Sequence, residues 1–327
     1  MSRKLITIST IMTLMSTSVM ADVPNVVADI APIHSLVSKV MDGVGEPKLV
    51  IQSGASPHGY RLRPSEAKAL QDANLIFWMG EELTPWLEGA IDTLASNASV
   101  TTLLDQEGVV LHEFREGALF EAHDHSAHDD HDDHKDHDDH DDHDDHKDHD
   151  DHDDHGHGAH DPHAWLSPEN AKLWLNIIAS KLSVADPENA ASYFTNAAAG
   201  QAEIEDMVAE VSATLKPVQG GKFVVFHDAY QYFENDFDFY ASGAISLGDA
   251  SDPSPARIAE IQRRIQEEGI QCVLAEPQYK KGLVATVMEG SNATASVIDP
   301  LGADIKPGPK LYTQLIKNMA KTLRDCL

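Results

Sequence analysis

The sequence predicts an α/β chain of two lobes, each a parallel sheet flanked by helices, joined by one long rigid helix. Three observations predict it. Short apolar runs of strand character alternate with helical patterns along the chain. The second half repeats the alternation of the first. Between the halves, Pro187 to Leu215 reads as helix with no internal proline. At about 1.5 Å per residue it would span about 40 Å, longer than one small domain needs.

Each element has a local reason. Val23–Ile30 is strand-like, and Pro32–Met41 follows as a helix. Lys48–Gln52 is a second strand, running into the turn Ser53-Gly54-Ala55-Ser56-Pro57-His58. Pro64–Asp72 is helical, and Leu75–Met79 (LIFWM) reads as a buried strand. Thr84–Leu94 is a helix with Thr84 as its N-cap and Pro85 at the first helical position. Val100–Leu104 is a fourth short strand. Order resumes after a long insert at Asp161, and Ser167-Pro168-Glu169 opens a helix to about Leu182. Beyond the connector, strands are predicted at Phe223–Phe226, Phe239–Ser246, Cys272–Ala275 and Ala295–Ile298. Helices are predicted near Ala229–Phe233 and over Pro255–Glu268 (closed by Gly269), Lys280–Glu289 and Lys310–Leu323. The resulting plan is a lobe over 22–185, a linking helix over 186–216 and a second lobe over 217–327, both Rossmann-like. Ligands in open α/β sheets bind beyond the C-terminal strand ends, so the cleft between lobes is the expected site.

The insert, placed at about 115–160, differs from the rest of the chain. From His123 to His160 it holds 14 of the 19 histidines, and from His128 to His155 they recur every third residue. Between Asp124 and Asp161, 18 Asp stand against two Lys, so over half of the net charge of −30 lies there. With no apolar side chain larger than alanine it cannot offset its ordering entropy, and disorder is expected. Imidazole and carboxylate suit transition metals, so the run is read as a metal-collecting loop rather than a plain acidic linker. An engineered tag is disfavoured because the chain continues on both sides. No basic patch or zinc-finger spacing occurs, which argues against a nucleic-acid partner.

The first residues place Arg3 and Lys4 ahead of an apolar run from Leu5 to about Met20, with Val19 and Ala21 before the expected cut. This predicts a secretory signal peptide over 1–21 and a periplasmic mature protein. Cys272 and Cys326 form an even pair in an exported chain, which suggests one disulfide.

Five histidines lie outside the insert: His34, His58, His112, His163 and His227. His58 follows the second strand, His163 sits on a proline-containing turn before a helix, and His227 follows FVVF directly. All three are placed at strand ends or loops facing the expected cleft. Asp299, after SVI in the second lobe, adds a carboxylate. Three imidazoles with a carboxylate or water make a tetrahedral zinc site. His34 lies on an amphipathic helix and reads as structural, while His112 borders the insert. Tyr60 and Trp165 read as packing around the site.

The segments GASPHGYRLRPSEAKALQDANLIFWMG, DPHAWLSPENA, FVVFHDAYQYFE, CVLAEPQ and IDPLGADI, with the Asp/His-rich insert, carry a resemblance. The chain resembles the solute-binding proteins of zinc and manganese ABC transporters, and among these the periplasmic zinc-binding ZnuA type, from about residue 24 to the C-terminus. The resemblance implies two α/β lobes bridged by a long helix, with Zn2+ bound between them and handed to a membrane permease. It puts the family's three histidine ligands on His58, His163 and His227. Where some zinc-type members place a Glu before the first histidine, this chain has Pro57. Other members use a carboxylate of the second lobe, which matches Asp299; Glu276 and water are the other candidates for the fourth place. Manganese-type members place a Glu third, whereas His227 supplies a third nitrogen and favours zinc. The family's C-terminal disulfide falls on Cys272 and Cys326.

The expected function is therefore capture and delivery of Zn2+ without catalysis, by a monomer. A periplasmic zinc chaperone acting on the His-rich loop is a further candidate partner. The alternatives are a carrier of manganese or another divalent metal, a periplasmic zinc buffer or chaperone with no permease, and a zinc hydrolase. The hydrolase is disfavoured because neither HExxH nor GxSxG occurs.

Overall fold

A computed structural model describes residues 23–115, 160–246, 253–278 and 281–327. The expected signal peptide and nearly all of the histidine-rich insert lie outside the described residues. In the first lobe, strands β1 (Val26–Ala28), β2 (Lys48–Leu49), β3 (Leu75–Trp78) and β4 (Ser99–Thr102) form an all-parallel sheet in the order β2-β1-β3-β4. Helices α1 (Ala31–Val40), α2 (Pro64–Gln71), α3 (Pro85–Leu94) and α4 (Pro168–Ala185) accompany it. After a 3-10 turn at Pro187–Asn189, α5 (Ala190–Leu215) runs as the long connector. In the second lobe β5 (Phe223–His227), β6 (Ala244–Ser246), β7 (Cys272–Ala275) and β8 (Thr294–Val297) repeat the pattern as β6-β5-β7-β8. Its helices are α6 (Gln231–Phe237), α7 (Pro255–Glu268), α8 (Lys281–Val287) and α9 (Leu311–Cys326).

The inner strands β1, β3 and β5 are buried along their whole length, as parallel strands covered on both faces must be. Helix starts follow local chemistry. Ser167 Oγ accepts from Asn170 N at 3.3 Å ahead of α4, and Ser254 Oγ accepts from Arg257 N at 3.2 Å ahead of α7. Each helix then has proline in its first turn. Gly269 ends α7 in the left-handed region, φ +68°, where other residues are strained.

Thr84 stands at the N-cap of α3 ahead of Pro85, as expected, but its Oγ1 makes no capping bond and instead accepts the buried Trp78 indole N–H at 2.6 Å. Two expectations differ from what is observed. The helix expected near Ala229–Phe233 begins two residues later and extends to Phe237. The run Phe239–Ser246 is strand only over its last three residues. Asp238 turns left-handed at φ 49° and Phe239 N bonds back to Glu234 O at 3.0 Å, so the chain reaches ladder register with β5 only at Ala244.

One apolar core runs through both lobes by way of α1, α4, α5 and α9. Specific bonds cross between lobes within it. Ser35 Oγ of α1 donates to Gly308 O at 2.7 Å and accepts from Tyr312 N at 3.0 Å. Tyr312 Oη donates to Trp165 O at 3.0 Å, and Trp165 Nε1 donates to Pro300 O at 2.8 Å. Cys272 and Cys326 form the expected disulfide, Cα–Cα 5.7 Å, which ties the end of α9 to β7.

Candidate metal centre

His58, His163 and His227 meet at the cleft. The His163 ring lies between the other two, its centroid 5.4 Å from that of His58 and 5.3 Å from that of His227. The elements explain the meeting. His227 is the last residue of β5, at the C-terminal edge of the second sheet. His163 leads into a 3-10 turn, Ala164–Leu166, with Leu166 N bonded to His163 O at 3.0 Å. His58 rides the loop after β2, pinned on one side by Trp86 Nε1 donating to Pro57 O at 2.7 Å. On the other side Tyr60 Oη donates to buried Glu66 at 2.8 Å. His163 and His227 are buried, whereas His58 is partly exposed and forms the rim.

Each buried imidazole leans on a buried carboxylate. Asp161 Oδ1 accepts both the backbone N and Nδ1 of His163, at 3.0 and 2.6 Å. Glu276 Oε1 lies 2.5 Å from His227 Nδ1. The sheet dictates the second contact: Val225 of β5 pairs with Leu274 of β7, so two residues on, His227 comes opposite Glu276. A carboxylate on Nδ1 fixes the tautomer and presents Nε2 as the lone-pair donor. This donor set fits zinc, with imidazoles whose basicity is raised by their carboxylates.

A cavity of about 10 Å3 lies among the rings, at the lower limit for a single water or ion. His58, His163, His227, Glu276, Pro57, Trp165, Gln278 and Leu301 are on its wall. Among the described residues no three His, Cys, Asp or Glu side chains already surround one point as ligands. The rings adjoin tilted or edge-on, so coordination requires them to turn about their side-chain bonds. Asp299 is placed differently. Its carboxylate accepts the backbone N–H of Leu301, Gly302 and Ala303 at 2.9, 3.0 and 2.5 Å, and it is not on the cavity wall. It braces the turn that carries Pro300 and Leu301.

The family model described as "Zinc-uptake complex component A periplasmic" matches residues 26–326. The chain belongs to this zinc-uptake component A family. A relative in Brucella abortus (strain 2308), "High-affinity zinc uptake system protein ZnuA", is 51% identical over 304 residues, covering 92% of this chain and 91% of the relative. A protein with the same name in Paracoccus denitrificans (strain Pd 1222) is 48% identical over 308 residues, covering 94% and 93%. A crystal structure of ZnuA shares the fold at TM-score 0.72 and 20% identity, over 93% of this chain and 99% of that one. No helix among the described residues is long and apolar enough to cross a membrane.

Sequence reasoning about this zinc-uptake family member overlooked two features of the site. Asp161 was visible two residues before His163 in DPHAW, a spacing that lets a carboxylate reach back to the ring. The second had no local signal. The Arg115 guanidinium is buried against Asp228 and Glu234, residues 113 and 119 positions away. Burial would lower Arg115, but Glu234 and Asp228 outweigh it and raise it. Burial pushes Glu234 up to about 7 although Arg115 pulls it down. His34, as expected, is structural: its Nε2 lies 3.1 Å from Pro47 O, inside the first lobe. The His112 ring lies tilted against Tyr232, centroids 4.6 Å apart, outside the three-ring cluster.

Proposed function

We propose that this chain is the zinc-capturing component of a zinc-uptake ABC transporter, binding Zn2+ in the periplasm and passing it to a membrane permease. His58, His163 and His227 supply the nitrogen donors. The reading is carried by one observation: three imidazoles adjoin at the lobe boundary, two of them oriented by buried carboxylates through Nδ1. Three nitrogens favour zinc over manganese, which prefers oxygen-rich sites. The backbone bonds of Asp299 speak against its joining the ion, and Glu276 is engaged at His227 Nδ1, so a water is the better fourth donor. No catalytic step is part of this reading.

The histidine-rich insert collects Zn2+ weakly at many points and raises its local concentration near the cleft. Metal analysis and calorimetry on the whole chain and on a variant lacking residues 124–159 test the division of labour. One tight ion should remain in both, with several weak ones lost in the shortened chain. Loss of the tight ion on deletion, or its survival in a His163→Ala/His227→Ala double variant, would overturn the reading.

A further inference from the structure

We infer that Arg115 is a positioning residue for the zinc site, locking the placement of His227 relative to His163 across the lobe boundary and thereby slowing zinc release. This rests on the zinc reading above. His227 ends β5, and the next residue is Asp228. Arg115 Nε donates to both Asp228 oxygens at 3.0 Å, and Nη2 also donates to Asp228 Oδ1. Nη1 donates to Glu234 Oε2 at 2.6 Å, and Nη2 reaches Glu234 Oε1 at 3.4 Å. One planar guanidinium thus grips the turn behind His227 and the first half of α6 together, a fork that a point-charge ammonium cannot reproduce. The three side chains are 12%, 9% and 1% exposed, so the clasp is shielded from screening by salt.

The other side of Arg115 leads to His163. The segment carrying Arg115 pairs with the segment carrying His163: Glu113 bridges His160, and Asp161 N donates to His112 O at 2.8 Å. Tyr232 of α6 closes the circuit, accepting from His112 N at 3.1 Å and donating to Asp161 O at 2.7 Å. Asp161 then holds His163 Nδ1. A continuous path of hydrogen bonds and backbone joins the two buried imidazoles, crossing onto the second lobe at Tyr232 and at Arg115, and Arg115 is the crossing that grips the residue next to His227. Loosening it lets one ligand drift from the other. The ion is then lost faster, while its capture at the rim by His58 is unaffected.

The test is release of Zn2+ from the full chain into an excess of chromogenic chelator, followed by stopped flow, with association rate and apo melting temperature measured alongside. Arg115→Gln should speed release about tenfold or more, the scale of outer-shell losses at metal sites, with association unchanged. Arg115→Lys should fall between that variant and the parent. Glu234→Gln keeps the Asp228 contacts and should speed release by a smaller factor; it serves if Arg115→Gln does not fold. Unchanged release in Arg115→Gln or, if that does not fold, in Glu234→Gln, even with a lower apo melting temperature, would make the clasp a structural staple only and overturn the inference. A parent chain that holds no tight zinc would instead sink the reading of the site itself.

Discussion

A histidine ring has two nitrogens, and what holds one decides what the other can do. At His163 and His227 the Nδ1 side is taken by Asp161 and Glu276. Removing that charge weakens the donor without deleting it. Glu276→Gln and Asp161→Asn should each lower zinc affinity about 10- to 100-fold in chelator competition. An affinity within error of the parent would show that the carboxylates merely fill space. His34 illustrates the opposite use of a ring. Its Nε2 meets Pro47 O and its Nδ1 faces Ser38 Oγ at 3.4 Å, a pairing complete in the neutral form. Burial pushes its pKa down, opposed by Pro47 O and Glu46. The unfolded chain takes up the proton first as pH falls, so this contribution is present above about pH 6.5 and lost as pH drops through the lower folded value. Urea midpoints should decline over that window, and His34→Gln should flatten the decline. The three histidines that meet at the cleft were legible because each stood at the end of a readable strand or turn. Asp228 and Glu234 were not, because a carboxylate inside an ion pair looks like a surface one in sequence until its partner is known.

At the scale of elements, legibility tracked covalent punctuation. Helix α7 was readable to the residue because Pro255 opens it and Gly269 closes it. Strand β6 was not, because an apolar run states that residues are buried without stating when they reach ladder register. Thr84 was placed correctly at the N-cap of α3, but the partner of its hydroxyl was not legible, since a capping hydroxyl and an acceptor for a distant indole look the same in sequence. Helix α9 is the element whose attachment can be measured. It packs against α1, α5 and β8, and Cys326 at its end is bonded to Cys272 across 54 residues. Closing a loop of that size should stabilise the chain by about 4 kcal/mol through the unfolded state. Denaturant unfolding of a Cys272→Ala/Cys326→Ala variant should show a loss of that order, and a difference below about 1 kcal/mol would assign α9's hold to packing alone.

For the whole molecule, the contacts between lobes decide how a metal gets in. Two lobes hinged on a loose linker would close around an ion, but here a common core and the bonds of Ser35, Tyr312 and Trp165 already join them. Zinc loading should therefore leave the radius of gyration in solution scattering unchanged within error. A contraction of several ångströms would show a hinge that these bonds do not suggest. The repetition of one α/β pattern in two parallel-sheet lobes was legible in the alternation of strands and helices, though the strand order within each sheet was not. The lobe-to-lobe bonds were not, since they join residues such as Ser35 and Gly308 that lie 273 positions apart. Trp165 has one more consequence. Its indole is buried, bonded to Pro300, and centred 5.2 Å from the His163 ring. Trp86 likewise holds the carbonyl next to His58. Two of the four tryptophans thus flank the histidine cluster, so ultraviolet emission from the unlabelled protein should change as the cleft fills, giving the molecule a built-in optical gauge of its own occupancy.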